Sequence, residues 1–162
     1  AKGATTIWEA WGLGNGQESM IMWATIEEFF YSDIAGIKGP EYYGPDDAKP
    51  GFQEIQIRPH PLGNLTYARA SIKTVRGWVR TKWFKKDNSI TLKVTIPVNS
   101  DARISVPKIG LKYVTLTESG RTIYKNGRFI SGVPGIKYAT ETNDYVTLQT
   151  GSGSYSFNLQ GT

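Results

Sequence analysis

The sequence predicts a mostly β chain: an antiparallel β-sandwich over residues 51–162, preceded by one amphipathic helix. Three observations carry this. Apolar residues recur at helical spacing only between Met22 and Ile37. From Phe52 onward they alternate with polar ones, the period of a strand with one buried face. Between the two regions, residues 39–51 hold three prolines and three glycines, which forbid regular structure.

The helix comes first. Residues 1–19 are glycine-rich and without periodicity, so they read as extended chain or loop. Met22, Ile26, Phe29 and Phe30 then fall at i, i+4, i+7 and i+8, one face of a helix that Ile34 and Ile37 extend. Ser19 suits the N-cap, and Gly36 or Gly39 the stop. Glu27, Glu28 and Ser32 lie off the apolar stripe. The face is broad enough to call for partner helices, and the chain supplies none, so this first piece reads as cut off at its start. The expected division is 1–50 and 51–162.

The strands follow. Ile55 and Ile57 share a face, and 65–73 reads as a strand. Segments 77–84 and 90–96 form a hairpin around Asp87-Asn88, because Ile90, Leu92, Val94 and Ile96 alternate with Thr91, Lys93 and Thr95. Ala102, Ile104 and Val106 alternate again, as do Val114 and Leu116, Val146 and Leu148, then Tyr155, Phe157 and Leu159. Lys125-Asn126-Gly127 is a turn signal.

Composition excludes several function classes. Nineteen Lys and Arg against 14 Asp and Glu leave a net charge of +5. The densest basic stretch, 76–86, interleaves Trp78, Trp83 and Phe84. On a strand, however, Arg76, Trp78, Arg80 and Lys82 share one face and Val79, Thr81 and Trp83 the other. That is a solvated face, and no RNP, KH or zinc-knuckle pattern accompanies it, so no nucleic-acid partner is expected. Cysteine is absent and His60 is the single histidine, which leaves no thiolate metal site, no imidazole cluster and no call for a cofactor. Absence of cysteine fits a reducing cytosol and a secreted protein alike, so the compartment stays open. No apolar run is long enough to cross a bilayer, and residues 1–16 lack a signal-peptide pattern.

The chemistry concentrates in Thr5-Thr6-Ile7-Trp8-Glu9-Ala10-Trp11. A carboxylate between aromatic faces suits a sugar-cleaving pocket. The other acids weighed lie on the helix (Glu27, Glu28, Asp33), in the connector (Asp46, Asp47), in a hairpin turn (Asp87) or beside sandwich turns (Glu118, Glu141, Asp144), without such neighbours. Trp8 and Trp11 either stack on a pyranose face or pack as core, and His60 reads as a surface or interface residue.

These segments, in this order, resemble the C-terminal end of the bacterial α-L-rhamnosidases, glycoside hydrolase family 78. The carriers are Thr5-Thr6-Ile7-Trp8-Glu9-x-Trp11, Glu28-Phe29-Phe30-Tyr31 with Ile34-Ala35-Gly36-Ile37, Pro50-Gly51-Phe52 and Ile57-Arg58-Pro59. Leu65-Thr66-x-Ala68-x-Ala70, Gly77, Trp83, Ile96-Pro97-x-Asn99 and Gly151-Ser152-Gly153-Ser154-Tyr155 complete the series. The resemblance implies a helix left over from an (α/α)6 catalytic barrel and a jelly-roll-like sandwich packed on that barrel. It implies that Glu9 is the general base of an inverting hydrolysis of terminal α-L-rhamnosides, with Trp8 and Trp11 at the substrate. The general acid would lie upstream, in sequence that this chain does not contain, so the chain alone is expected to be inactive. Inversion needs two carboxyl groups about 6.5–9.5 Å apart. One departure stands out: Ile21-Met22 follow Ser19-Met20 where many members carry an Asn-His pair. The implied partners are a rhamnose-containing glycan, the rest of the barrel and, through the uncovered helix face, a second copy of the chain. The alternative is a free-standing carbohydrate-binding or structural sandwich.

Overall fold

The structure, a computed structural model, describes residues 25–38 and 51–162. Trp8, Glu9, Trp11, Met22 and most of the Pro/Gly-rich connector lie outside the described residues.

Helix α1 (Ile26–Phe29) runs directly into a π-helical stretch, Phe30–Ile34. The wider turn closes where the Ala35 amide donates to the Phe30 carbonyl at 2.9 Å. The helix stops at Gly36, where φ is +83°. A Cβ there would lie 2.2 Å from the Pro59 nitrogen, so no other residue fits without backbone movement. Ile37, which the periodicity assigns to the helix, instead opens strand β1 (Ile37–Lys38). Its apolar side chain is buried either way, which is why spacing alone cannot separate the two.

Eleven further strands follow among the described residues: β2 (Glu54–Ile57), β3 (Tyr67–Thr74), β4 (Gly77–Lys86), β5 (Ser89–Ile96), β6 (Asp101–Pro107), β7 (Thr115–Glu118), β8 (Arg121–Lys125), β9 (Arg128–Phe129), β10 (Ile136–Glu141), β11 (Tyr145–Thr150) and β12 (Gly153–Gln160). They form two sheets, ordered β1-β2-β6-β11-β10 and β3-β4-β5-β12-β7-β8-β9. The β-sandwich expected from the alternation is therefore present. One pairing departs from the antiparallel rule: β2 and β6 run parallel, Ile55 opposite Ala102 and Ile57 opposite Ile104. Residues 65 and 66, assigned to a strand by pattern, precede β3, because Leu65 closes a turn onto the Leu62 carbonyl.

The turns are those the sequence marks. Asp87-Asn88 joins β4 to β5, with Lys86 paired to Ser89. Asn126 and Gly127 both take positive φ, 52° and 74°, as a two-residue hairpin between twisted strands requires. The inward positions then form one core. Val79, Trp83, Leu92, Leu116, Phe157 and Leu159 of the larger sheet join Ile55, Ile57, Ile104, Val146 and Leu148 of the smaller, all fully buried. Each such side chain contributes about 1.5–3 kcal/mol relative to an exposed one.

Candidate functional site

Glu9, Trp8 and Trp11 fall outside the described residues, so the site is approached from the segment that follows them, where helix meets sandwich. A helix leaves its last carbonyls without intrahelical donors. Here each of four consecutive carbonyls receives one from the sandwich. The His60 amide donates to Asp33 O at 2.8 Å, and the Arg58 amide to Gly36 O at 2.8 Å. Between them, Trp83 Nε1 donates to Ile34 O at 2.8 Å and Thr81 Oγ1 to Ala35 O at 3.0 Å. Trp83 is fully buried and Thr81 nearly so. Sequence reasoning placed both on the inward face of a strand without assigning them this task. The available signal was the polar Thr81 between Val79 and Trp83, since a polar group on an apolar face must find a partner.

The ends of β2, β6 and β11 meet the helix exit around a hollow of about 400 Å³ lined by Asp33, Lys38, Arg58, His60, Asp144 and Tyr145. Arg58 lies over the Tyr145 ring, its Cζ 4.7 Å from the centroid, and the Tyr145 hydroxyl donates to Pro59 O at 3.4 Å. Asp33 accepts from Ser32 Oγ at 2.7 Å and pairs with Lys38 Nζ at 3.3 Å. The Ser32 hydrogen bond, with Lys38 and His60 beside it, outweighs partial burial and holds the Asp33 carboxyl below its ordinary range. His60 is exposed at the rim, matching its reading as a surface or interface residue.

A second polar cluster ties the sheets together. Lys108 Nζ reaches Glu141 Oε1 at 2.5 Å, and the Tyr124 hydroxyl donates to Glu141 Oε2 at 2.7 Å. Burial, with the Glu141 hydrogen bond and charge, pushes the Tyr124 hydroxyl up from 10 to about 12. Burial opposes ionisation of Glu141, yet Lys108 and Tyr124 together hold it below the usual carboxylate range. The sequence put Glu141 beside a turn; it ends β10 and is paired. Glu118, likewise assigned to a turn flank, ends β7 and is buried, accepting from Ser119 Oγ at 2.6 Å.

A general acid needs a carboxyl that keeps its proton near neutral pH. Asp33 and Glu141 are both shifted the other way, and no group of three or more His, Cys, Asp or Glu able to hold a metal occurs among the described residues. The four donors at the helix exit make this arrangement an anchor, and the lowered Asp33 and Glu141 carboxyls do not suit a general acid.

Residues 44–121 match the family model of the bacterial alpha-L-rhamnosidase C-terminal domain. The chain is 26% identical over 168 residues to an alpha-L-rhamnosidase of Streptomyces avermitilis, and 32% identical over 139 residues to one of Formosa agariphila. These alignments cover 98% and 80% of this chain but 14% of each relative, so the chain spans about one seventh of their length. Among solved structures, the alpha-L-rhamnosidase of Dictyoglumus thermophilum superposes with a TM-score of 0.78 at 30% identity, over 97% of this chain and 16% of that one. The Streptomyces avermitilis enzyme complexed with L-rhamnose gives 0.64 at 27% identity, over 97% and 14%. Family model, relatives and solved folds agree: the chain carries the C-terminal domain of the bacterial alpha-L-rhamnosidases and corresponds to the C-terminal part of such a protein.

Proposed function

We propose that this chain is the end of an α-L-rhamnosidase-like glycoside hydrolase, in which the sandwich fixes the last barrel helix and so helps position the Glu9 segment. The observation that carries the reading is the set of four donors on the carbonyls of Asp33, Ile34, Ala35 and Gly36. A domain that caps a helix exit this completely suits an anchor for the element upstream. Ile26, Phe29 and Phe30 are 54%, 39% and 55% exposed, an apolar face suited to the neighbouring helices of a barrel. In the chain alone that face is open to a second copy.

In this reading residues 1–50 hold the end of the catalytic barrel with its Pro/Gly-rich connector and 51–162 the accessory sandwich, whose smaller sheet β1 (Ile37–Lys38) joins at its edge. Glu9 deprotonates the water that attacks the anomeric carbon of a terminal α-L-rhamnoside, and Trp8 and Trp11 flank the sugar. A partner acid elsewhere in the longer protein protonates the leaving oxygen, giving inversion. Loss of either group removes its typical 10²–10⁴-fold contribution.

The test uses a chromogenic aryl α-L-rhamnoside. The 162-residue chain should give no turnover. In a longer protein of its relatives' length, Glu9→Gln should lower kcat at least a hundredfold with the circular dichroism spectrum unchanged. Turnover by the chain alone, or a Glu9→Gln enzyme within tenfold of its parent, removes the assignment.

A further inference from the structure

On the outer face of the larger sheet, cations stand in register across three strands. Arg69 of β3 is opposite Lys82 of β4, and Lys82 is opposite Lys93 of β5. Arg80, two residues from Lys82, is opposite Ser71 and Thr95. Neighbouring strands lie about 4.8 Å apart, so these are like charges at close quarters, an arrangement that costs stability unless something anionic meets it. The ion pairs among the described residues are Lys38–Asp33, Lys108–Glu141 and Lys137–Asp101; none involves this row.

Two of these four cations, Arg80 and Lys82, lie over aromatic rings. Arg80 Cζ lies 5.0 Å from the Trp78 ring centroid, and Lys82 Nζ lies 4.7 Å from Phe84 and 5.7 Å from Tyr67. The Trp78 ring covers one side of the Arg80 guanidinium and leaves its N–H edge for a carboxylate or sulfate. A hollow of about 720 Å³ runs across β3, β4, β5 and β12 beside these cations, lined by Tyr31 of the helical segment as well as by Arg69, Lys82, Lys93, Ser154 and Ser156. Such hydroxyls suit a ligand rich in hydroxyls.

We propose that this cationic face binds an acidic polysaccharide, a glycan bearing carboxylates or sulfates, alongside the catalytic part of the protein. The choice of a glycan rests on the glycoside-hydrolase reading above. The geometry also favours it over single-stranded nucleic acid, which needs free aromatic faces for its bases. Here Arg80 lies over Trp78 and Lys82 over Tyr67 and Phe84, so part of each half-exposed ring is taken by the protein's own cations. Affinity therefore comes from charge and hydroxyls, and falls steeply with salt.

The test is calorimetry of the 162-residue chain at low ionic strength with polygalacturonate, its fully methyl-esterified form and an oligothymidylate. Polygalacturonate should bind. The ester should not, because it has the same backbone without charge. The oligothymidylate should bind at least tenfold more weakly. Lys82→Gln with Lys93→Gln should weaken polygalacturonate binding at least tenfold, as should Arg80→Gln. These side chains face outward, so thermal unfolding should show no loss of stability. No binding to polygalacturonate, equal binding to the ester, indifference to both variants, or oligothymidylate binding as tight as polygalacturonate overturns the proposal. Turnover of the uncharged aryl rhamnoside by the longer protein should not change in these variants, so polygalacturonate binding tests this face and Glu9→Gln tests the catalytic reading separately.

Discussion

Trp83 shows how one side chain joins fold to function. Its ring fills the core with no exposure, while Nε1 donates to Ile34 O across 49 positions of sequence. Phenylalanine would keep most of the apolar burial and orphan that carbonyl. Trp83→Phe should therefore cost about 1–3 kcal/mol in urea unfolding. Trp78→Phe, on the outer face of the same strand and 42% exposed, should stay within about 0.5 kcal/mol. A loss at Trp83 no larger than that at Trp78 would remove the bond to the helix exit from the account.

Among elements, the short helix is defined by its ending. Gly36 takes φ +83° and sits against Pro59, whereas Gly127 takes φ +74° with nothing within 4 Å of a Cβ. Alanine at Gly127 brings only the left-handed strain, about 1–2 kcal/mol. Alanine at Gly36 adds a backbone clash at the junction, so Gly36→Ala should lose clearly more stability than Gly127→Ala in the same urea titration. Matching losses would show that Pro59 yields easily and that the junction is not rigid. The hairpin turns around Asp87 and Asn126 were legible in the sequence because their residue types tolerate positive φ. The strands β8, β9 and β10 were not, since β10 buries only Ile136 and β9 is two residues long, leaving little alternation to read.

At the scale of the whole molecule, the two sheets are fastened where Tyr124 of β8 and Lys108 after β6 converge on Glu141 of β10. Tyr124 has its pKa raised from 10 to about 12, so its contribution is complete below pH 10 and disappears as pH rises towards 12. Glu141 is depressed, so its contribution is present above its ordinary range and is lost as pH falls through the folded value. The stability gap between the protein and Tyr124→Phe, followed by urea unfolding against pH, should shrink between pH 10 and 12. A gap that is flat across that window would remove the hydroxyl from the account. The sequence by itself determined the sandwich, its main strands, its turns and the family resemblance, because period-two burial and turn chemistry are local properties. Tertiary structure decided the parallel pairing of β2 with β6, the donors on the helix exit, the Lys108–Glu141–Tyr124 fastening and the row of cations on one face. Each of these joins residues distant in the chain, and no local pattern records which strands the core will bring side by side.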